Sequence, residues 1–138
     1  MVYLKDEGVF DAPVDKIWRF LNDQTHEHRS VRFSKILEQS DKHMVAESEM
    51  TGPDGKTYKG TAKFTFNPPK SFDMEILAGP QVGTKHTHTY TPMGDKTKVE
   101  VAGEFKMQGL NDEATKKAAL GFLEETFNED NAALKKFK

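Results

Sequence analysis

Four turn sequences divide residues 33–107 into a regular series of short segments. The turns read GPDG, NPPKS, AGPQVG and PMGD, and the segments between them are rich in β-branched and aromatic residues. Consecutive strands of an antiparallel sheet have this pattern, because glycine and proline end each strand and reverse the chain. The sequence therefore predicts an antiparallel meander as the main body of the fold.

Helical patterns precede and follow this meander. The stretch VFDAPVDKIWRFLND begins as a strand and becomes a helix near Ala12-Pro13, because proline suits the first turn of a helix. The last segment is predicted to be a long helix with Asn111 or Asp112 as its N-cap. Its apolar stripe consists of Ala119, Leu120, Leu123, Thr126, Phe127, Leu134 and Phe137. Asp130 is a polar residue within this stripe, about 20° from its centre.

Turn chemistry also predicts which strand residues share a face. In TGPDGK, a type I turn closed by a glycine pairs Gly52 with Lys56 and sets Met50 opposite Tyr58. Counting outward from this turn and through the NPPKS loop keeps one set of side chains on the same face. The set is Met44, Ala46, Ser48, Met50, Tyr58, Gly60, Ala62, Phe64, Phe66, Phe72, Met74 and Ile76.

The stretch TKHTHTYT places His86, His88 and Tyr90 at alternate positions of one strand, where side chains point to the same side. If PMGD is a four-residue loop, Tyr90 lies opposite Thr97 and His88 lies opposite Val99. Both histidines and the tyrosine are then predicted to face inward. The other side of the sheet carries mostly lysine, threonine and acidic residues, and we expect it to be solvated.

Composition excludes several classes of protein. A chain of 138 residues predicts a single domain, residues 1–138. Its 20 basic and 22 acidic residues are mixed along the sequence, which gives no electrostatic reason to favour nucleic acid or anionic lipid. The chain has no cysteine, which excludes disulfides and thiolate metal sites.

Hydrophobicity limits the partners and the location. No stretch approaches the ~20 apolar residues of a membrane span, and the N-terminus lacks the apolar run of a signal peptide. We therefore expect a cytoplasmic protein without membrane insertion. Only 36% of the residues are hydrophobic, so most of them are needed for the core, and we expect a monomer or a weak homodimer.

The order of a strand, a helix pair, a six-stranded meander and a long C-terminal helix resembles a known family. The residues that carry the resemblance are FDAPVDKIWRFLND, the hairpins GKTYKGTAKFTFNPPKSFDMEI and GTKHTHTYTPMGDKTKVEV, and the terminal NAALKKFK. The chain is similar to the START-like (SRPBCC) superfamily, the polyketide cyclase/dehydrase and lipid-transport group. The resemblance implies an α+β helix-grip fold. In that fold a curved antiparallel sheet of about seven strands wraps around the C-terminal helix, with one or two short helices after the first strand.

The resemblance also implies a cavity between the sheet and the C-terminal helix. Apolar residues on the predicted inner face suit a small hydrophobic or amphipathic ligand, either lipid-like or aromatic and polyketide-like. The small residues Gly60, Ala62 and Gly103 would leave space there. The predicted ligand-binding residues are Met50, Tyr58, Phe64, Phe66, Met74, Ile76, His86, His88, Tyr90, Val99, Val101, Leu123 and Phe127.

Four polar residues are candidates for catalysis, namely His86, His88, Tyr90 and Asp130. The histidines are either satisfied by nearby backbone and water, or hold or protonate a ligand oxygen. A metal is the weakest interpretation, because two nitrogens with no acidic residue on the same strand face make a poor site. We expect neither a metal nor a cofactor.

Residues between the first helix and the second strand form another candidate region. His26 and His28 fit a solvated turn, and the alternative places them at the rim of the cavity, with Arg29 or Arg32 anchoring a carboxylate or phosphate head group.

The sequence leaves three functions open. The first is binding of a small hydrophobic or amphipathic molecule as a carrier or sensor. The second is a cofactor-free enzyme of the aromatase/cyclase type. The third is a protein-interaction module similar to the chaperone-ATPase activators of this superfamily. A phosphate-binding loop, a GxSxG elbow and an HExxH motif are all missing from the sequence.

Overall fold

The computed structural model describes residues 2–22, 31–52 and 54–137, which form one seven-stranded antiparallel sheet and two helices. In chain order the elements are β1 (Val2–Phe10), α1 (Val14–Leu21), β2 (Val31–Gln39), β3 (His43–Thr51), β4 (Thr57–Asn67), β5 (Ser71–Ala78), β6 (Lys85–Met93), β7 (Lys96–Phe105) and α2 (Asp112–Leu134). The strand order is β1-β7-β6-β5-β4-β3-β2. This architecture confirms the helix-grip prediction. A second short helix before β2 would fall in residues 23–30, outside the described residues.

The β3–β4 and β4–β5 hairpins have the predicted registers. The Gly52 amide donates to the Lys56 carbonyl at 2.9 Å, and Met50 lies opposite Tyr58. On the other side of β4, Phe66 lies opposite Phe72, although a bulge shifts the pairing next to Thr61. Turn chemistry was sufficient to predict these registers, because a slip of one residue would move the whole apolar set to the solvent face.

The predicted register of the β6–β7 hairpin is wrong by two residues. Tyr90 lies opposite Val99 and His88 opposite Val101, because strand pairing continues as far as Met93 and Lys96. The loop has two residues and begins with Gly94, whose φ of 72° suits the first position of a tight hairpin turn. A shift of two residues preserves the face, so the histidines and Tyr90 still point inward.

Helix α2 begins where the sequence predicts. The Asn111 side chain accepts a hydrogen bond from the Ala114 amide at 2.8 Å, and Asp112 and Glu113 occupy the first turn. Both features stabilise the helix start, by satisfying a free amide and by complementing the helix dipole. Of the predicted stripe, Ala119, Leu123 and Leu134 are buried and the rest are half-buried. Thr115 is also buried.

The helix packs against β1 and β7, and Gly8 sets how closely it approaches β1. A Cβ atom at Gly8 would lie 2.7 Å from Cε2 of Phe127, closer than real contacts allow. Phe127 in turn stacks on Phe10, with ring centroids 4.7 Å apart. Because Gly8 has no side chain, the Phe127 ring can lie against β1.

Helix α1 packs against β6. The Trp18 indole donates to the Pro69 carbonyl at 2.9 Å and packs edge-on against Tyr90, with centroids 5.6 Å apart. The buried Thr97 hydroxyl donates to the Ala12 carbonyl at 2.8 Å, which joins β7 to the start of the helix. These contacts fix α1 beside β6.

The buried apolar residues form two clusters. The larger cluster joins β1, β6 and β7 to both helices, while the smaller one lies on β4 and β5 and is built on Ala62, Phe64 and Ile76. Phe66 and Phe72 pack against both clusters and connect them across the inner face of the sheet. In the described part of the chain, neither helix is long and apolar enough to cross a membrane.

Candidate ligand-binding site

Two pockets border the inner face of the sheet. The larger, here called the helix pocket, has a volume of about 430 Å³ and lies between β1, β6, β7 and α2. It is lined by Asp6, Glu7, Gly8, Phe10, His88, Tyr90, Val99, Val101, Leu120, Leu123, Glu124, Thr126, Phe127 and Asp130. The smaller, here called the sheet-end pocket, has a volume of about 270 Å³. It is lined mainly by residues of β3, β4 and β5 and of the segments that follow β5 and β7, including Tyr58, Gly60 and Met107.

The structure divides the predicted ligand-binding residues among three places. The helix pocket contains His88, Tyr90, Val99, Val101, Leu123 and Phe127, together with the catalytic candidate Asp130. The sheet-end pocket contains Met50, Tyr58 and Ile76. Phe64, Phe66, Met74 and His86 border neither pocket.

Part of the inner face outside the two pockets is occupied by aromatic rings. Phe64 and Phe66 stack at a centroid distance of 6.1 Å, and Phe72 packs on Phe66 at 6.2 Å. Of the small residues expected to leave space, only Gly60 borders a pocket, while Ala62 is fully buried. The space at Gly103 is filled by its neighbour across the ladder, because a Cβ there would clash with the Cα of His86.

The two histidines of β6 form a hydrogen-bonded pair. Nε2 of His88 lies 3.0 Å from Nδ1 of His86, so one ring donates a proton and the other accepts it. His86 is stacked on Phe105 with a centroid distance of 4.9 Å, and His88 is stacked on Phe72 at 4.4 Å. His88 lines the helix pocket and His86 lies behind it. The pair therefore presents one imidazole, rather than two, to a ligand.

Burial keeps both imidazoles neutral. It lowers the pKa of His86 from 6.5 to about 4. Burial, and then the neighbouring His86, lower the pKa of His88 well below its usual range. A neutral pair is consistent with the single hydrogen bond, since two imidazolium rings would place two N–H groups face to face. Near pH 7 these rings act as hydrogen-bonding groups without charge.

Tyr90 is the most buried polar residue of the helix pocket, with 5% of its surface exposed. Its ring lies between Trp18 and Phe72, at centroid distances of 5.6 Å and 6.2 Å. Burial, and then the charge of Asp130, raise the pKa of Tyr90, which keeps the phenol protonated. Its hydroxyl has no hydrogen-bond partner among the residues that the structure describes.

Sequence reasoning missed the contribution of β1 to this site. Asp6, Gly8 and Phe10 line the helix pocket from the strand that pairs with β7. The sequence did contain a signal for these positions, the alternation of Leu4, Asp6, Gly8 and Phe10. Its register could not be predicted, because β1 pairs with a strand far along the chain and no turn connects the two. Glu124 and Thr126 of α2 were also absent from the predicted site.

The candidate rim region is only partly described. His26, His28 and Arg29 lie outside the described residues. Arg32 is exposed on β2 and borders neither pocket. Within residues 2–22, 31–52 and 54–137, no group of three or more His, Asp or Glu side chains could hold a metal ion.

Solved structures share this fold at low sequence identity. A protein from Thermus thermophilus superposes with a TM-score of 0.82 at 13% identity, covering 96% of this chain and 97% of that chain. A START superfamily protein from Mycobacterium smegmatis has a TM-score of 0.78 at 14% identity, covering 99% of each chain. The Zhui aromatase/cyclase from a Streptomyces species has a TM-score of 0.71 at 15% identity, covering 96% of this chain and 90% of that chain.

No curated protein matches the sequence. The family model described as "Polyketide cyclase / dehydrase and lipid transport" matches residues 1–136, nearly the whole chain. Together with the seven-stranded sheet and the long C-terminal helix, this match confirms the resemblance drawn from the sequence. The chain belongs to the polyketide cyclase/dehydrase and lipid transport family.

Proposed function

We propose that the protein binds a small amphipathic molecule in the helix pocket, as a carrier or sensor. The observation that carries this proposal is the Tyr90 hydroxyl, which belongs to a pocket-lining residue only 5% exposed and has no partner among the described residues. A hydroxyl in the wall of a pocket without a protein partner can exchange a hydrogen bond with a ligand oxygen or nitrogen.

The residues around Tyr90 favour a ligand whose body is apolar. Phe10, Val99, Val101 and Leu123 surround the pocket with hydrocarbon and aromatic surface. The volume of about 430 Å³ falls within the range of about 300–1,000 Å³ that is typical of small-molecule sites. A polar group at one end and an apolar body at the other fit this lining.

The titration behaviour of the polar groups favours binding over proton transfer. An efficient general acid or base has a pKa near the working pH. The pKa of His88 is shifted well below that range and the pKa of Tyr90 is shifted above it. Near pH 7 both groups can therefore orient a ligand by hydrogen bonds, whereas a cyclisation of the aromatase type would need a group that exchanges protons at that pH.

Titration calorimetry with decan-1-ol tests this function, using Tyr90→Phe and Thr97→Val as a matched pair. We expect the wild type to bind decan-1-ol saturably and Tyr90→Phe to bind it about fivefold to tenfold more weakly, because one hydrogen bond is lost. Folding stability of Tyr90→Phe should stay equal or rise, since the hydroxyl has no described partner.

Thr97→Val is the control because its hydroxyl donates to Ala12 inside the core at 2.8 Å. This variant should lose about 1–2 kcal/mol of unfolding free energy and keep the wild-type affinity. Absence of saturable binding by the wild type, or equal affinity of the wild type and Tyr90→Phe, would refute the proposal.

A further inference from the structure

Carboxylates dominate the charge around the helix pocket. Asp6, Glu7, Glu124 and Asp130 line it, and its described lining includes no lysine or arginine. Glu7 is compensated by Lys98, with 3.2 Å between the ammonium nitrogen and the carboxylate. Asp6 and Glu124 have no ion pair within the described part of the chain. Within the described lining, the negative charge of the helix pocket is therefore only partly compensated.

Asp6 is the carboxylate that bears most directly on the ligand, because it lies on the inward face of the sheet. It lies opposite Val101 on β1, between the buried positions Leu4 and Phe10. One Asp6 oxygen accepts a hydrogen bond from the Glu7 amide at 2.9 Å, and the side chain remains exposed at the pocket. A charge at an inward position otherwise filled by apolar residues favours a partner of opposite sign.

Aromatic groups and Tyr90 provide a second, independent indication of the ligand. The Phe10 and Phe127 rings are stacked 4.7 Å apart at the same pocket, and the faces of aromatic rings attract cations. Tyr90 is a buried residue of the pocket wall, and its hydroxyl, which has no partner among the described residues, can accept a hydrogen bond from an ammonium group. A carboxylate ligand would instead meet like charges at Asp6 and Glu124.

We propose that the helix pocket selects amphiphiles whose head group is a protonated amine over those whose head group is a carboxylate. This inference rests on the proposed function, since it names the class of ligand for the same pocket. It is opposite in sign to the expectation that Arg29 or Arg32 anchors an acidic head group. Arg32 borders neither pocket, and Arg29 lies outside the described residues.

Three probes with the same ten-carbon chain test the inference by calorimetry, each below its micelle concentration. Decylammonium should bind about tenfold more tightly than decanoate, with decan-1-ol between them, because the two exposed carboxylates attract the ammonium group and repel the carboxylate group. In the double variant Asp6→Asn/Glu124→Gln, the ratio of the decylammonium and decanoate affinities should fall to about twofold.

The control is Glu113→Gln/Asp95→Asn, which removes two carboxylates from exposed positions outside the pocket. It should keep the wild-type ratio, because neither carboxylate lines the pocket and exposed charges are screened by solvent and salt. Equal affinities for all three probes, or tighter binding of decanoate, would overturn the inference while leaving the proposed function in place. Failure of every probe to bind would contradict both.

Discussion

At the scale of single residues, burial decides what the polar groups of β6 can do. His86, His88 and Tyr90 share one strand face, as their alternation predicts. Their surroundings then lower the pKa values of the histidines and raise that of the tyrosine. Because no charge develops near pH 7, this row of side chains forms a neutral hydrogen-bonding wall beside an acidic entrance.

The histidine pair predicts a dependence of folding stability on pH. His86 has a pKa of about 4 in the folded protein and about 6.5 when unfolded. Below about pH 6.5 the unfolded chain binds a proton that the folded protein excludes, so acidification favours unfolding. From about pH 7.5 to about pH 4.5 this group should lower the free energy of unfolding by roughly 2 kcal/mol.

Urea unfolding of the wild type and of His86→Gln at several pH values measures this contribution. Carboxylates affect both proteins alike, whereas glutamine does not titrate and can still hydrogen-bond His88. His88 keeps the burial that is the main cause of its lowered pKa. The stability of the variant should therefore fall less steeply below about pH 6.5. Identical slopes in the two proteins would show that the His86 pKa is not lowered on folding.

Alternation along β6 predicted the direction of these side chains but not their roles. Whether His86 or His88 reaches a pocket depends on Phe105 and Phe72, the rings that stack on them. Those rings belong to other strands, and their positions follow from the complete sheet rather than from the sequence near the histidines.

At the scale of strands and helices, local turn chemistry predicted most of the pairing. Pro-Asp-Gly set the β3–β4 register, and Asn111 marked the start of α2. The prediction for β6–β7 was wrong because it assigned Pro92 to the loop. In the structure Pro92 stays in β6 opposite Thr97, and Gly94 supplies the left-handed residue that the turn requires.

The contact between β1 and α2 predicts a strong effect of one methyl group. Gly8→Ala would place its Cβ 2.7 Å from the Phe127 ring, which is held by stacking on Phe10. We expect a loss of about 1–3 kcal/mol of unfolding free energy, because the ring or the helix must move. Chemical denaturation measures the change.

Gly121→Ala is the matched control for this substitution. Gly121 is exposed on α2, and nothing lies within 4 Å of a Cβ placed there. Alanine should stabilise this position by up to about 1 kcal/mol, because it has the higher helix propensity. A Gly8→Ala variant as stable as the wild type would contradict the close packing of α2 on β1.

At the scale of the whole molecule, the predicted ligand-binding residues of the described chain lie in two separate pockets and in the space outside them. The sequence predicted the fold and the inward face, because both follow from periodicity and turns. It did not predict how these residues are distributed, which depends on the packing of α2 on β1 and β7. The acidic edge supplied by β1 was missed for a similar reason, since that strand joins the site only through its pairing with β7.

The division into two pockets allows the site of binding to be tested directly. Leu120→Trp adds bulk to the helix pocket, whereas Ala78→Trp adds the same side chain to the sheet-end pocket. Calorimetric titration of both variants with decan-1-ol is the most direct measurement. Leu120→Trp should weaken binding at least about tenfold and Ala78→Trp should leave it within about twofold, because only the first fills the proposed site. Loss of binding in Ala78→Trp with full affinity in Leu120→Trp would contradict the account.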